Sequence, residues 1–148
     1  MENVGLRKQK ILIPIITAIA VTGFWITLTD QFYSYNHFVL RIGGNVLFPA
    51  ISWFLGFILL HWVFQKISSK KKNLLQSFLL VIALYWMVLF FLESSAYHIL
   101  NIRNLNTASY AGLPFCDCLH APPWMQIGYF TIGPVYLLVT IALKKLQS

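Results

Sequence analysis

The chain has 148 residues, of which 58% are hydrophobic and only 10% carry a charge. Soluble domains carry about 25% charged residues, so this composition excludes an ordinary water-soluble protein. The formal net charge of +7 does not indicate a nucleic-acid partner, because the basic residues cluster beside long apolar stretches.

Four apolar stretches divide the chain, at residues 11–28, 45–64, 74–92 and 127–143. A helix needs about 20 mainly apolar residues to cross the hydrocarbon core of a bilayer, and each stretch is near that length. The remaining residues are too few for a second domain, so residues 1–148 are expected to form one. The sequence therefore predicts an all-α integral membrane protein, a bundle of four transmembrane helices surrounded by the lipid bilayer.

Basic residues mark one side of this bundle. Nine of the 11 Lys and Arg residues lie before the first stretch, between the second and third, or after the fourth. These nine are Arg7, Lys8, Lys10, Lys66, Lys70, Lys71, Lys72, Lys144 and Lys145. Lys and Arg accumulate in cytoplasmic loops of membrane proteins. The pattern predicts cytoplasmic N and C termini, outer loops at about 29–44 and 93–123, and a bacterial inner membrane as the location.

The first stretch also has features of a cleaved signal peptide. It has a basic start, and Ala18, Ile19 and Ala20 resemble a small-residue cleavage site. The apolar run continues past that site to Leu28, so a retained helix is expected. Cleavage would leave the orientation of the other three helices unchanged.

Small and polar residues interrupt the second stretch, at Pro49, Ser52 and Gly56. Such residues in a membrane helix usually face a neighbouring helix, because they gain nothing from contact with acyl chains. We expect this face to pack inside the bundle. The alternative is that it lines a ligand cavity.

The third helix is expected to continue beyond the apolar stretch to about residue 101, because no Pro or Gly occurs between Glu93 and Gly112. Glu93 is costly at the end of an apolar helix unless it is paired or hydrated. A hydrogen bond or an ion pair, for example with Arg103 or Arg41, would satisfy it. The functional alternatives are proton or cation handling, or general acid–base chemistry at the membrane surface. His98 follows at i+5, so the two do not form the Glu-x-x-His motif of di-iron bundles.

The segment Cys116-Asp117-Cys118-Leu119-His120 places both cysteines of the chain and a histidine within five residues. Thiolates and imidazole suit Cu(I) or Zn(II), so Cys116, Cys118, His120 and His98 are candidate metal ligands. Glu93 or His37 would complete such a site.

Two other hypotheses explain the same cysteines. A disulfide between cysteines one residue apart is strained and easily reduced, which favours thiol–disulfide exchange. In architecture alone the chain is similar to quinone-linked disulfide oxidases and vitamin K epoxide reductases. Those families carry a Cys-x-x-Cys pair and a second, shuttling pair, and this chain has neither. In the third hypothesis the pair is only structural, within a loop that caps the bundle.

The sequence favours a small polytopic membrane protein that acts as an accessory or assembly partner of other membrane proteins through its outer side. The alternative is a membrane-embedded enzyme, or a metal or thiol-redox protein, that uses the outer loop. Its candidate catalytic residues are Glu93, His98, Cys116, Asp117, Cys118 and His120.

Overall fold

The computed structural model describes the backbone of residues 4–35, 41–42, 45–70 and 73–146, and the side chains of residues 11–35, 47–70 and 73–146. Four helices account for most of this part of the chain: α1 (Val4–Thr29), α2 (Leu47–Ser68), α3 (Leu74–Ser94) and α4 (Pro123–Leu146). Each of the four contains a segment long and apolar enough to cross a membrane. The prediction of four apolar helices is thereby confirmed.

Short elements lie between the helices. A 3-10 turn (Asp30–Phe32) follows α1, and a π-helical turn (Ser95–Ile99) continues α3. Strands β1 (Arg41–Ile42) and β2 (Asn45–Val46) form an antiparallel pair, with Arg41 opposite Val46. These strands lie where the sequence predicted an outer loop and the start of the second helix.

Local chemistry sets the helix ends. The Asn73 side chain accepts hydrogen bonds from the backbone N–H groups of Leu75 and Gln76, and so caps the start of α3. Pro123 is the first residue of α4, where its missing N–H costs nothing. At the far end of the π turn, Asn101 adopts a φ of 52°, a left-handed conformation that Asn tolerates better than most residues. The chain therefore leaves the helical path near the predicted residue 101.

Helix α1 packs against both α2 and α4, whereas α3 packs mainly against α2. A close approach between α1 and α4 depends on Gly128, because a Cβ there would collide with the indole of Trp25. Gly133 similarly admits the ring of Tyr85 from α3, at 2.7 Å from where a Cβ would lie. Both glycines of the last helix are therefore close-packing positions.

Pro134 explains a second link between α3 and α4. Proline has no N–H, so the carbonyl of Phe130, four residues earlier, loses its helical hydrogen bond. The indole N–H of Trp86 donates to this carbonyl at 3.0 Å. The neighbouring Tyr85 hydroxyl donates to the carbonyl of Tyr129. Polar groups of α3 thus bind carbonyls of α4 beside Pro134, where the helical hydrogen bonding of α4 is interrupted.

The two ends of the bundle differ in chemistry. At one end, which we call the lysine end, the Lys144 ammonium donates to Nε2 of His61 at 3.0 Å and joins α4 to α2. At the other, the loop end, residues 95–122 fold over the helices, and we call this segment the cap.

Candidate functional site

A cleft of about 570 Å³ is lined by residues of α2, α3 and the cap, together with Tyr129 of α4. Its walls are mainly apolar, and they extend from Val63 on the lysine side to the underside of the cap. The apolar lining includes Phe48, Phe57, Leu60, Val81, Leu84 and Leu89. Ligand sites in proteins are typically clefts of this size, with apolar walls and a few placed polar groups.

The polar groups of the cleft gather at its loop end. Glu93, Tyr35, Tyr129 and His120 all line this end. Glu93 is half-buried and interacts electrostatically with His120. Burial raises the pKa of the Tyr35 hydroxyl above its ordinary value, and the nearby Tyr33 and Glu93 add to this effect. Tyr35 therefore stays a neutral phenol that can donate a hydrogen bond.

Tyr33 organises the aromatic wall beside this polar end. Its hydroxyl oxygen accepts from the indole N–H of Trp25 at 3.2 Å and from that of Trp53 at 3.4 Å. With both lone pairs engaged, the Tyr33 hydroxyl is left to donate to the Tyr129 hydroxyl, 3.4 Å away. These contacts are long for hydrogen bonds, and ring packing supports them: Trp53 stacks on Tyr129 at 5.6 Å. Tyr129, having accepted from Tyr33, presents its own hydroxyl proton at the cleft.

The prediction that Gly56 packs against a neighbouring helix is wrong. A Cβ added at Gly56 would meet no atom within 4 Å, and Gly56 is exposed. Pro49, Ser52 and Gly56 instead line the cleft. The small residues of α2 therefore leave space for a cavity, which was the alternative interpretation of this face.

The cap is tied to the bundle by backbone and side-chain hydrogen bonds from two directions. The segment after α1 pairs with the cap, because Leu105 N–H donates to the Ser34 carbonyl and Ser34 N–H donates to the Asn104 side chain. Close to the start of α4, the Gln126 amide donates to the carbonyls of Ala111 and Leu119 at 3.0 Å each. These bonds fix the cap over the mouth of the cleft.

His120 connects the cap to the polar end of the cleft. Its ring stacks on Tyr97 at 4.3 Å, and its Nδ1 lies 2.8 Å from the Tyr110 carbonyl. Its Nε2 lies 3.1 Å from the Asp117 carbonyl. Either ring nitrogen can donate to the carbonyl that it faces, according to the tautomer.

Arg103 lies over the other ring in this stack, with its guanidinium 4.9 Å from the centre of Tyr97. This contact places Arg103 at the polar end of the cap. The Arg41 side chain, predicted as the other partner of Glu93, lies outside the described side chains, as does His37. The predicted ion pair of Glu93 therefore stays a prediction.

Cys116 and Cys118 are joined by a disulfide, with their Cα atoms 5.1 Å apart. Cys118 is fully buried, whereas Cys116 is partly exposed. The His98 Nε2 lies 3.0 Å from the Cys116 carbonyl, and His98 is otherwise exposed. Among the described residues, no group of three or more His, Cys, Asp or Glu side chains could hold a metal ion. A copper or zinc site at Cys116, Cys118, His120 and His98 would require the reduced thiolates, and it stays a prediction.

The six candidate residues thus divide between two neighbouring places. Glu93 and His120 line the cleft, and Cys116, Asp117, Cys118 and His98 belong to the cap above it. The sequence did not single out the tyrosines at positions 33, 35 and 129 as site residues. The signal for them was the placement of three phenols at the ends of apolar stretches, where their hydroxyls need partners.

The fold and cleft define a class of protein: a four-helix bundle of membrane-spanning dimensions with an amphipathic cavity at one end. Comparison with protein families, characterised proteins and solved structures finds no match to this chain.

Proposed function

We propose that the bundle spans an inner membrane, with the lysine end in the cytoplasm and the cap on the outer side. The support is the concentration of Lys and Arg beside the lysine end, which is typical of cytoplasmic loops. Reporter fusions at Ser148 and Asn73 should report a cytoplasmic location, and a fusion at Asn106 an external one. An external signal at Ser148 would contradict this topology.

We propose that the protein binds an amphipathic, lipid-like molecule in the cleft. The carrying observation is the cleft itself, which combines long apolar walls with a carboxylate and several tyrosine hydroxyls near the cap. An apolar chain would lie between α2 and α3 at the depth of the acyl chains. Its polar head would lie below the cap, near the outer surface of the membrane.

The polar end also indicates the chemistry of the head group. Glu93 is an acceptor when ionised, and Tyr35 and Tyr129 can donate through their hydroxyls. A head group that carries a hydroxyl or an amine would donate to Glu93 and accept from a tyrosine. A carboxylate that faces a cavity at the end of an apolar helix is a candidate functional residue, since its cost there needs compensation. Ligand binding provides that compensation.

The function is tested by filling the cleft without changing the fold. Gly56→Phe should place a ring in the cleft, because Gly56 borders open space. Leu79→Phe is the matched control, since Leu79 is 57% exposed on α3 and lies outside the cleft lining. Each protein is purified in mild detergent, and its bound organic molecules are extracted and identified by mass spectrometry. The wild type and Leu79→Phe should retain an amphipathic species, and Gly56→Phe should retain at least ten-fold less.

Equal retention by the two variants would contradict binding in the cleft.

An accessory role in a membrane complex, the first hypothesis from the sequence, is supported by apolar side chains that the cap exposes. Ile99, Leu105 and Phe115 are 77%, 55% and 69% exposed. A second protein that copurifies in stoichiometric amounts with an empty cleft would favour that role over ligand binding.

A further inference from the structure

We propose that Cys116 and Cys118 form a thiol–disulfide exchange site, which accepts electrons from a dithiol of a second protein on the cap side of the membrane. This activity is separate from ligand binding in the cleft. It is carried by four features of the cap: the small span of the disulfide, the backbone around it, the unequal burial of the two sulfurs, and two adjacent imidazoles.

The disulfide restrains almost nothing. A disulfide stabilises a fold mainly by removing freedom from the unfolded chain, and this effect grows with the number of residues enclosed. Only Asp117 lies between the two cysteines. The same turn is already fixed by backbone hydrogen bonds, from Leu113 N–H to the Cys118 carbonyl and from Asp117 N–H to the Leu113 carbonyl, both at 2.8 Å. The disulfide therefore adds little stability to this turn, and a purely structural role does not account for it.

The backbone around the disulfide adopts conformations that L-residues rarely occupy. Asp117 has a φ of 43°, and Leu119 has a φ of 57°. Asp tolerates the left-handed region, but a bulky residue such as Leu is an outlier there. Gly112 packs against this turn so closely that a Cβ would lie 2.9 Å from the Asp117 carbonyl carbon. Strained backbone of this kind clusters at functional sites, and here it lies directly beside the disulfide.

The two sulfurs differ in access, which sets the direction of attack. Cys116 is partly exposed and Cys118 is fully buried. A thiolate of the partner attacks the Cys116 sulfur, the bond to Cys118 breaks, and Cys118 leaves as a thiolate. The second thiol of the partner then attacks the partner's sulfur in the mixed disulfide and releases Cys116. The partner's two thiols become a disulfide, and their two protons and two electrons pass to Cys116 and Cys118.

Two imidazoles act as positioning residues for this step. His98 hydrogen-bonds the Cys116 carbonyl, and His120 hydrogen-bonds the carbonyl of Asp117 between the cysteines. These two contacts hold the backbone on the Cys116 side of the disulfide and between the cysteines, so the turn keeps its shape while the bond opens and closes.

The first test uses the intact chain in detergent micelles. Oxidised protein is placed in glutathione buffers of increasing reducing strength, and free thiols are counted from the mass added by alkylation. We expect both cysteines to become reduced while the helical circular dichroism stays unchanged. Reduction that occurs only after the helices unfold would overturn the proposal, because it would show a structural bond.

Single-cysteine variants test the direction of attack. Cys118→Ser retains the partly exposed Cys116, and Cys116→Ser retains the buried Cys118. With glutathione disulfide as the probe, Cys118→Ser should form a mixed disulfide at least ten-fold faster than Cys116→Ser. Equal rates in the two variants would overturn attack at Cys116. If either variant fails to fold, the titration of the wild type still decides the proposal.

Discussion

Gly128→Ala should lower the free energy of unfolding in detergent by about 1–3 kcal/mol, the usual cost of adding a methyl group to a filled core. The new Cβ would collide with the indole of Trp25, which cannot move aside easily. Trp25 is 4% exposed and packs against Trp53, Trp124 and Tyr129. Thermal unfolding followed by circular dichroism measures the effect.

Gly56→Ala is the matched control for this prediction. It makes the same chemical change in another apolar helix, but the new Cβ meets no atom within 4 Å. Alanine should stabilise α2 by about 0.5–1 kcal/mol, since glycine is the poorer helix former. Combining Gly128→Ala with Trp25→Leu should recover part of the lost stability, which assigns the cost to this contact. Equal melting temperatures for the two glycine variants would contradict the packing described for α1 and α4.

Glu93→Leu should make the protein more stable and at the same time remove its ligand. The carboxylate lies half-buried at the end of an apolar helix, where a charged group is costly, and leucine should gain about 1–2 kcal/mol. The same change removes the acceptor for the ligand's head group, so retention of the amphipathic species should fall at least ten-fold. Unfolding and extracted ligand are measured on the same preparation.

Glu93→Gln separates the charge of this residue from its hydrogen bonding. Glutamine retains the size and an acceptor oxygen, so it should retain more ligand than leucine does. A variant Glu93→Leu that is less stable than the wild type would show that Glu93 is a structural ion-pair residue. Such a result would also support the ion pair with Arg103 or Arg41 that the sequence suggested.

The helices could be predicted from the sequence because the bilayer imposes one length and one composition on every span. The glycines at positions 128 and 133 lie where α4 meets rings of its neighbours. Gly56 has the same local character, yet it borders a cavity. The difference depends on which neighbouring side chains each glycine meets, and no single helix encodes its neighbours in its own pattern.

The candidate site was only partly predictable, and for a similar reason. Glu93 and His120 are conspicuous in this sequence because it contains few charged and titratable residues. Their placement at one end of a cavity depends on the cap, whose path is set by Asn104, Gln126 and backbone hydrogen bonds. Tyrosine hydroxyls such as that of Tyr33 acquire their role from partners on three different segments of the chain. Local sequence patterns do not reveal such contacts between distant segments of the chain.

The tryptophans give the cleft an intrinsic optical reporter. Three of the five indoles in the chain belong to one cluster, with the Trp25 and Trp53 rings 5.9 Å apart and those of Trp25 and Trp124 6.4 Å apart. Of these three, Trp53 lines the cavity. Indoles this close exchange excitation energy, so their emission and near-ultraviolet dichroism respond as a unit to a molecule that contacts Trp53. Occupancy of the cleft can therefore be followed in native, unlabelled protein.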